Sequence, residues 1–496
     1  VSVFIVPDRD ILKSFFLLPP SSERALDHSL ACASDLLGLS VCALTALIVA
    51  DLGWTTQTSN AAPAKASATT SAPCSKPAAT SASHTTPPQP GPTSFNITEQ
   101  YAQRIADKVD HLISTKLYNA TLARDMWPKI YAAQRPLIIK SGNLKELSDR
   151  LNGAIAELHS SHCEFVTVND ETYYFLDTLF CNFNKKLPIF KMNYTGIITG
   201  GVKKDFNSVR NVLDGSPGAK AGMKRNDIIE AVDGQPFVGE CSFAAKSGKN
   251  VELKIKRGRQ HLTVTVVPKF VRDYDQYVEA MEKSTRVIQT PAGKIGYVHY
   301  WGGGNPSHEM FEHILGQWRT RKDGLIEEQG LAKTDGLILD LRDGYGGASG
   351  TDLDILYRNP NSHPDFISTS RSGDKFFSRD YYDKPVVALI NGGSRSAKEM
   401  FAWGLKNSGR AKLVGQTTAG FFLAGQFMPI DERCALYLAV ADVSLNSERL
   451  EGKGVSPDIE VPDDAQHPDG YDEQFERAKS ELLELLQART SEPKEK

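Results

Sequence analysis

The sequence predicts a multidomain α+β protein: an N-terminal helical domain, a β-rich domain and an α/β core. Three observations carry this. Apolar residues recur at helical spacing between Ile97 and Leu158, two alternating apolar runs flank Arg257-Gly258-Arg259, and strands alternate with helices from residue 293 to 462. The 496 residues leave room for about three domains. Hydrophobic residues make up 40% and charged residues 24%, ordinary globular values that exclude wholesale disorder, a collagen-like fibre and a polytopic membrane protein. The 57 basic side chains nearly balance 60 acidic ones, which argues against a nucleic-acid partner. Seven cysteines, an odd number, do not make a disulfide framework.

Residues 1–60 contain an uncharged apolar run at 36–50, bounded by Asp35 and Asp51. It is shorter than the ~20 residues of a spanning helix but fits the hydrophobic region of an export signal, with Ala64-Lys65-Ala66 as a small-residue cleavage site. The acidic flank at residues 1–35 fits less well, and a buried helix is the competing reading. Residues 61–95 are dominated by Ala, Ser, Thr and Pro, a composition expected of a flexible tether. Together they predict an exported protein of the cell envelope or extracellular space, with a membrane tether.

The helical domain is placed at 96–193. Tyr101, Ile105, Val109, Leu112 and Ile113 define one helix, with Thr98 as N-cap and Glu99 in its first turn. A second runs from about Leu144 to Leu158 and leads into His159-Ser160-Ser161-His162-Cys163, then a strand at Phe165–Val168. The β-rich domain is placed at 194–270, its hairpin built on Val251, Leu253, Ile255 and Leu262, Val264, Val266. In the core, at 271–496, strands are read at 295–298, 336–341 and 386–390, a helix at His308–Thr320, another beginning near Ser396, and a last amphipathic helix with Phe475, Ala478, Leu482 and Leu485 on one face.

Two strand-to-turn junctions in the core carry chemistry: Asp340-Leu341-Arg342-Asp343-Gly344-Tyr345-Gly346-Gly347 and Asn391-Gly392-Gly393-Ser394-Arg395-Ser396-Ala397-Lys398-Glu399. Ser396 stands where a strand gives way to a helix, so its hydroxyl is exposed above the sheet edge beside free first-turn N–H groups. The glycines of the other turn let backbone N–H groups approach closely. Amides of Gly346, Gly347 and Ala397 would then form an oxyanion hole. A serine in this position is also an ordinary N-cap, and these residues alone leave both readings open.

Residues 215–234, GSPGAKAGMKRNDIIEAVDG, resemble the PDZ domains of bacterial proteases, with Gly218 and Asn226 replacing the usual Ala and Gly. That resemblance implies capture of a peptide C-terminus as an added strand, its carboxylate held near Gly200, Gly201 and Val202. Residues 294–462 resemble the C-terminal processing (tail-specific) serine peptidases, through Asp340-Leu341-Arg342 with Gly346-Gly347, Ser394–Glu399, and Glu451-Gly452-Lys453-Gly454-Val455-Ser456-Pro457-Asp458. The resemblance implies a crotonase/ClpP-like core and a nucleophile at Ser396, not Ser394. It breaks where that family carries a lysine base, a position held here by Phe421. Lys398, two residues from Ser396, points to a different helix face and is a poor substitute. Some relatives, of the tricorn and nisin-resistance protease kind, take a histidine from the preceding helical domain, which Ser160-Ser161-His162 resembles. This implies His162 as base, supported by Ser161 and Glu451. An unperturbed imidazole would place an acid limb near about pH 6–7.

The resemblance implies a serine endopeptidase acting on protein or peptide substrates near their C-termini, through an acyl-enzyme that needs no metal or organic cofactor. Alternatives stay open for the function and for single residues. The missing lysine is compatible with an inactive PDZ-containing peptide-binding protein, and the core also suits a binder of small apolar ligands. His159, His162 and Cys163 are compatible with a metal site, His162 with a purely structural role, and Cys163 with a disulfide to Cys181.

Overall fold

The computed structural model describes residues 96–181, 191–200, 206–316, 320–322, 325–327, 330–347, 350–356, 366–369, 371, 375–378, 381–462 and 471–491. The apolar run at 36–50, the tether at 61–95, Gly201 and Val202 lie outside these residues.

Helix α1 (Glu99–Lys116) starts where Thr98 accepts the Tyr101 N–H at 3.1 Å. Glu99 in its first turn and Lys116 in its last complement the helix dipole. It buries Ile105, Val109 and Ile113. Helices α2 (Trp127–Ile138) and α3 (Leu144–Ala156) pack beside it, and the Trp127 indole donates to Asp110 at 2.8 Å. Asn143 caps α3 by accepting the Glu146 N–H at 2.9 Å. After α3 come β1 (Glu164–Thr167) and α4 (Glu171–Cys181).

The next strands are β2 (Ile197–Thr199), β3 (Val209–Val212), β4 (Ile228–Val232), β5 (Val251–Arg257) and β6 (Gln260–Val266). The hairpin β5–β6 is in the register the alternation predicts, with Leu253 opposite Val264 and Ile255 opposite Leu262. Along β5, buried and exposed residues alternate from Val251 to Lys256, so one face packs on Phe243, Ile229 and Met223.

The α/β core begins with α5 (Asp273–Ser284), β7 (Arg286–Thr290), β8 (Gly293–His299) and α6 (Asn305–Ile314). It continues through β9 (Gly336–Asp340), β10 (Val386–Ile390), α7 (Ala397–Asn407), β11 (Ala411–Gly415), β12 (Leu423–Pro429), β13 (Cys434–Asp442), β14 (Ile459–Glu460) and α8 (Glu473–Ser491). A six-stranded sheet runs in the order β7-β8-β9-β10-β11-β14, antiparallel only between β7 and β8. Every residue of β9 and β10 is buried, as expected of parallel strands covered on both faces.

The helix expected at His308–Thr320 is corrected: α6 spans Asn305–Ile314, and Thr320 belongs to a short strand, Thr320–Lys322. Gly316, with φ 73°, supplies the left-handed residue that ends the helix. Helix α8 docks through Ala478 and Leu482 on Ile338, Val387 and Leu389.

A second sheet, in the order β1-β13-β12, joins the helical region to the core. Glu164 pairs with Tyr437 and Phe165 with Leu436, which fixes the end of the segment 159–163 beside the core.

Leu482 is fully buried, and its Cδ1 lies 2.9 Å from where a Cβ on Gly336 would sit. Leu482→Ala should therefore destabilise the fold by about 2–5 kcal/mol, measured by denaturant unfolding.

Candidate active site

Three segments distant in sequence meet at the carboxyl end of the core sheet. The turn after β10 delivers Ser396 at the N-cap of α7, with φ 58° and ψ −129°, a conformation a side-chain-bearing residue adopts only under constraint. Its N–H donates to Glu399 Oε2 at 3.1 Å and to the Phe421 carbonyl at 2.9 Å. Glu399 also accepts from Phe421 N–H at 2.9 Å, Gly420 N–H at 2.7 Å and Thr418 Oγ1 at 2.6 Å. Burial pushes the Glu399 carboxyl upward against these donors. The Ser-x-x-Glu spacing is a capping-box signal visible in the sequence, but sequence reasoning assigned Glu399 no role.

Residues 159–163, anchored by β1, bring His162 to this serine. His162 Nε2 lies 3.2 Å from Ser396 Oγ, across 234 positions of sequence. His162 Nδ1 lies 2.9 Å from Ser161 Oγ, which donates to Glu451 Oε2 at 2.9 Å. Glu451 is held by the Ser161 N–H at 3.2 Å and the Phe422 N–H at 2.7 Å. A carboxylate only accepts, so Ser161 directs its proton to Glu451 and accepts from Nδ1–H, leaving Nε2 with its lone pair toward Ser396. Burial, with the nearby Arg395 guanidinium, lowers the His162 pKa to about 4. The Tyr437 ring packs against the imidazole at 5.5 Å between centroids.

The turn after β9 closes the third side. A Cβ on Gly346 would fall 2.6 Å from Ser396 Cβ and 2.8 Å from the Ala397 nitrogen, so only glycine fits there. Gly347, with φ 92°, follows beside Leu179. Ala397 opens α7, where backbone N–H groups have no intrahelical acceptor.

Other sequence candidates lie elsewhere. Ser394 is fully buried and donates to the Leu341 carbonyl at 2.8 Å. Lys398 is fully buried too, and its Nζ donates to the Asp343 carbonyl at 2.7 Å. Gly200 follows β2, and its N–H is taken by the Ser208 carbonyl at 3.0 Å. His159 is exposed, Cys163 is a free thiol, and no three His, Cys, Asp or Glu side chains among the described residues converge as metal ligands would.

A serine hydroxyl bonded to an uncharged imidazole, beside first-turn amides, is the arrangement of a serine hydrolase. Comparison with known proteins narrows the class. Residues 294–461 match the model of peptidase family S41, and residues 208–257 match that of a PDZ domain. The carboxyl-terminal-processing protease of Synechocystis is 26% identical over 288 residues, 54% of this chain and 64% of that protein. The carboxy-terminal processing protease of Bacillus subtilis is 26% identical over 258 residues, half of each chain. The solved structure of the tricorn protease aligns with a TM-score of 0.47 at 19% identity, over 78% of this chain and 37% of that one. The chain thus resembles the C-terminal processing serine peptidases, and these matches support a serine peptidase. It spans about half to two thirds of the length of the curated relatives it matches.

Because the folded pKa of His162 lies below its ordinary 6.5, the native state binds fewer protons than the unfolded chain between about pH 4 and 6.5. The histidine's contribution to stability is present above that window and lost as pH falls through it. An NMR titration should find the His162 ring uncharged at pH 5.5, and His162→Phe should flatten the fall in melting temperature between pH 7 and 5.

Proposed function

We propose that the chain is a serine endopeptidase that cuts protein or peptide substrates through an acyl-enzyme on Ser396. The observation that carries this is the 3.2 Å contact between His162 Nε2 and Ser396 Oγ, at the end of a chain of polar groups running to Glu451. In this reading Ser396 Oγ attacks the scissile carbonyl while Nε2 takes its proton, and the same imidazolium then protonates the leaving amine. Ser161 and Glu451 hold the Nδ1–H tautomer and stabilise the charge on the ring. Amides of Gly346, Gly347 and Ala397 receive the oxyanion. Phe421, where the resembled family carries its lysine, takes no part in proton transfer and serves through its backbone at Ser396 and Glu399.

Substrates are taken to be polypeptides with accessible C-termini, drawn in by the PDZ region, as the relatives' names suggest for those proteins. Export and tethering through residues 36–50 belong to the same proposal, and support for them comes from the sequence alone. Among the described residues no helix is long and apolar enough to cross a membrane.

Ser396→Ala and His162→Ala should each lower kcat against labelled casein by roughly 10⁴-fold or more. Ser394→Ala should cost stability rather than chemistry. The wild-type acid limb of kcat/KM should fall near pH 4, not at the pH of a free imidazole, because burial and Arg395 disfavour its charge. A fully active His162→Ala enzyme would contradict the assignment, whereas a wild-type limb near about pH 6.5 would contradict only the lowered imidazole pKa.

A further inference from the structure

Lys398 has no part in the proton transfer described above, yet its ammonium is fully buried two residues after Ser396. A buried ammonium is costly unless its donors are used. Here Nζ donates to the Asp343 carbonyl at 2.7 Å and approaches the Arg342 carbonyl at 3.5 Å. Among the described residues it forms neither an ion pair with a carboxylate nor a bond to Ser396 or His162. The two carbonyls begin the turn that carries Gly346 and Gly347. Asp343 and Gly344 both have positive φ, 52° and 67°, and a Cβ on Gly344 would lie 2.9 Å from Nζ and 1.9 Å from the Trp301 carbonyl. The turn is therefore seated directly on the ammonium, and the ammonium grows from the first turn of the helix that presents Ser396 and Ala397.

We propose that Lys398 is a positioning residue for the oxyanion hole, its charged donor clamping the Asp343 carbonyl to the start of α7 so that Gly346 and Gly347 stay registered against Ser396. This rests on the peptidase reading of Ser396. The side chain never touches substrate and acts only through the backbone it holds.

The clamp carries its own pH dependence. Burial lowers the Lys398 pKa to about 7, with Arg395 pushing the same way and Asp340 and Asp343 opposing. The other charged or titratable groups facing it are Arg342, on the turn with Asp343, and His299, on β8, whose Nε2 lies 2.8 Å from the Arg342 carbonyl. A protonated ammonium makes a charge-assisted bond to the Asp343 carbonyl, and a neutral amine makes a weaker one. The clamp is thus fully set below pH 7 and loosens as pH rises through it, so kcat should decline there on the alkaline side.

The test is kcat and KM on labelled casein from about pH 5 to about pH 9 for wild type, Lys398→Met, Lys398→Gln and Ser396→Ala. The expected result is a wild-type alkaline limb near pH 7. Lys398→Met should show kcat about 10- to 100-fold lower at pH 6, KM within about twofold, and no limb. Lys398→Gln keeps a neutral donor and should be intermediate and equally free of the limb, which decides the matter should the Met variant not fold. Wild-type kcat with an unchanged limb in the folded variants, alongside an inactive Ser396→Ala, overturns the clamp alone. Full activity in Ser396→Ala overturns the nucleophile and this role with it.

Discussion

The backbone of Ser396, held at φ 58° and ψ −129°, is the constraint on which the site depends. Such a conformation costs of order 1–3 kcal/mol and persists only where its surroundings over-determine it. Glu399 supplies that determination. One carboxylate gathers the Ser396 and Phe421 amides on Oε2, and the Gly420 amide and Thr418 hydroxyl on Oε1. It thereby joins the start of α7 to the segment between β11 and β12. That segment in turn presents the Phe422 amide to Glu451, so the serine and the carboxylate at the far end of the polar chain share one rigid support.

The histidine arrives by a different route. Its segment leaves the helical region and is fixed by the pairing of β1 with β13, not by any element of the parallel sheet. The third wall, the turn after β9, is held at several backbone groups. Asp343 N–H donates to Asn391 at 3.0 Å, Tyr345 N–H to the Trp301 carbonyl at 3.0 Å, and the Gly346 carbonyl accepts from Gly303 N–H at 2.9 Å. The β-rich region touches this wall as well, through Arg225 near the Asp343 carboxylate at 3.7 Å and Asp214 accepting from the Trp301 indole at 2.8 Å. The Ser396 segment, the His162 segment and the turn after β9 thus meet at one hydroxyl, and the β-rich region braces that turn.

Much of this was legible in the sequence because the signals are local. The N-cap at Thr98, the β5–β6 hairpin and the uniformly apolar β9 and β10 follow from spacing and composition. Ser161, His162, Ser396 and Glu451 were picked out by motif, and the fold brings them together. What stayed hidden depends on burial. The depressed pKa of His162 comes first from desolvation and then from the charge of Arg395, neither readable from the residues around it. Lys398 was dismissed as a base on helix geometry, but its seat under Asp343 needed the folded turn. The end of α6 fell at Gly316 because a left-handed residue outweighed the apolar pattern beyond it.

The central claim is that this one serine, of all those in the chain, is activated as a nucleophile. Its most direct test is labelling of the intact protein with a fluorophosphonate, followed by peptide mass spectrometry to locate the adduct. The account predicts a single stoichiometric adduct on Ser396, absent when the protein is unfolded in urea. No adduct, or one carried by Ser394 or another serine, would contradict it.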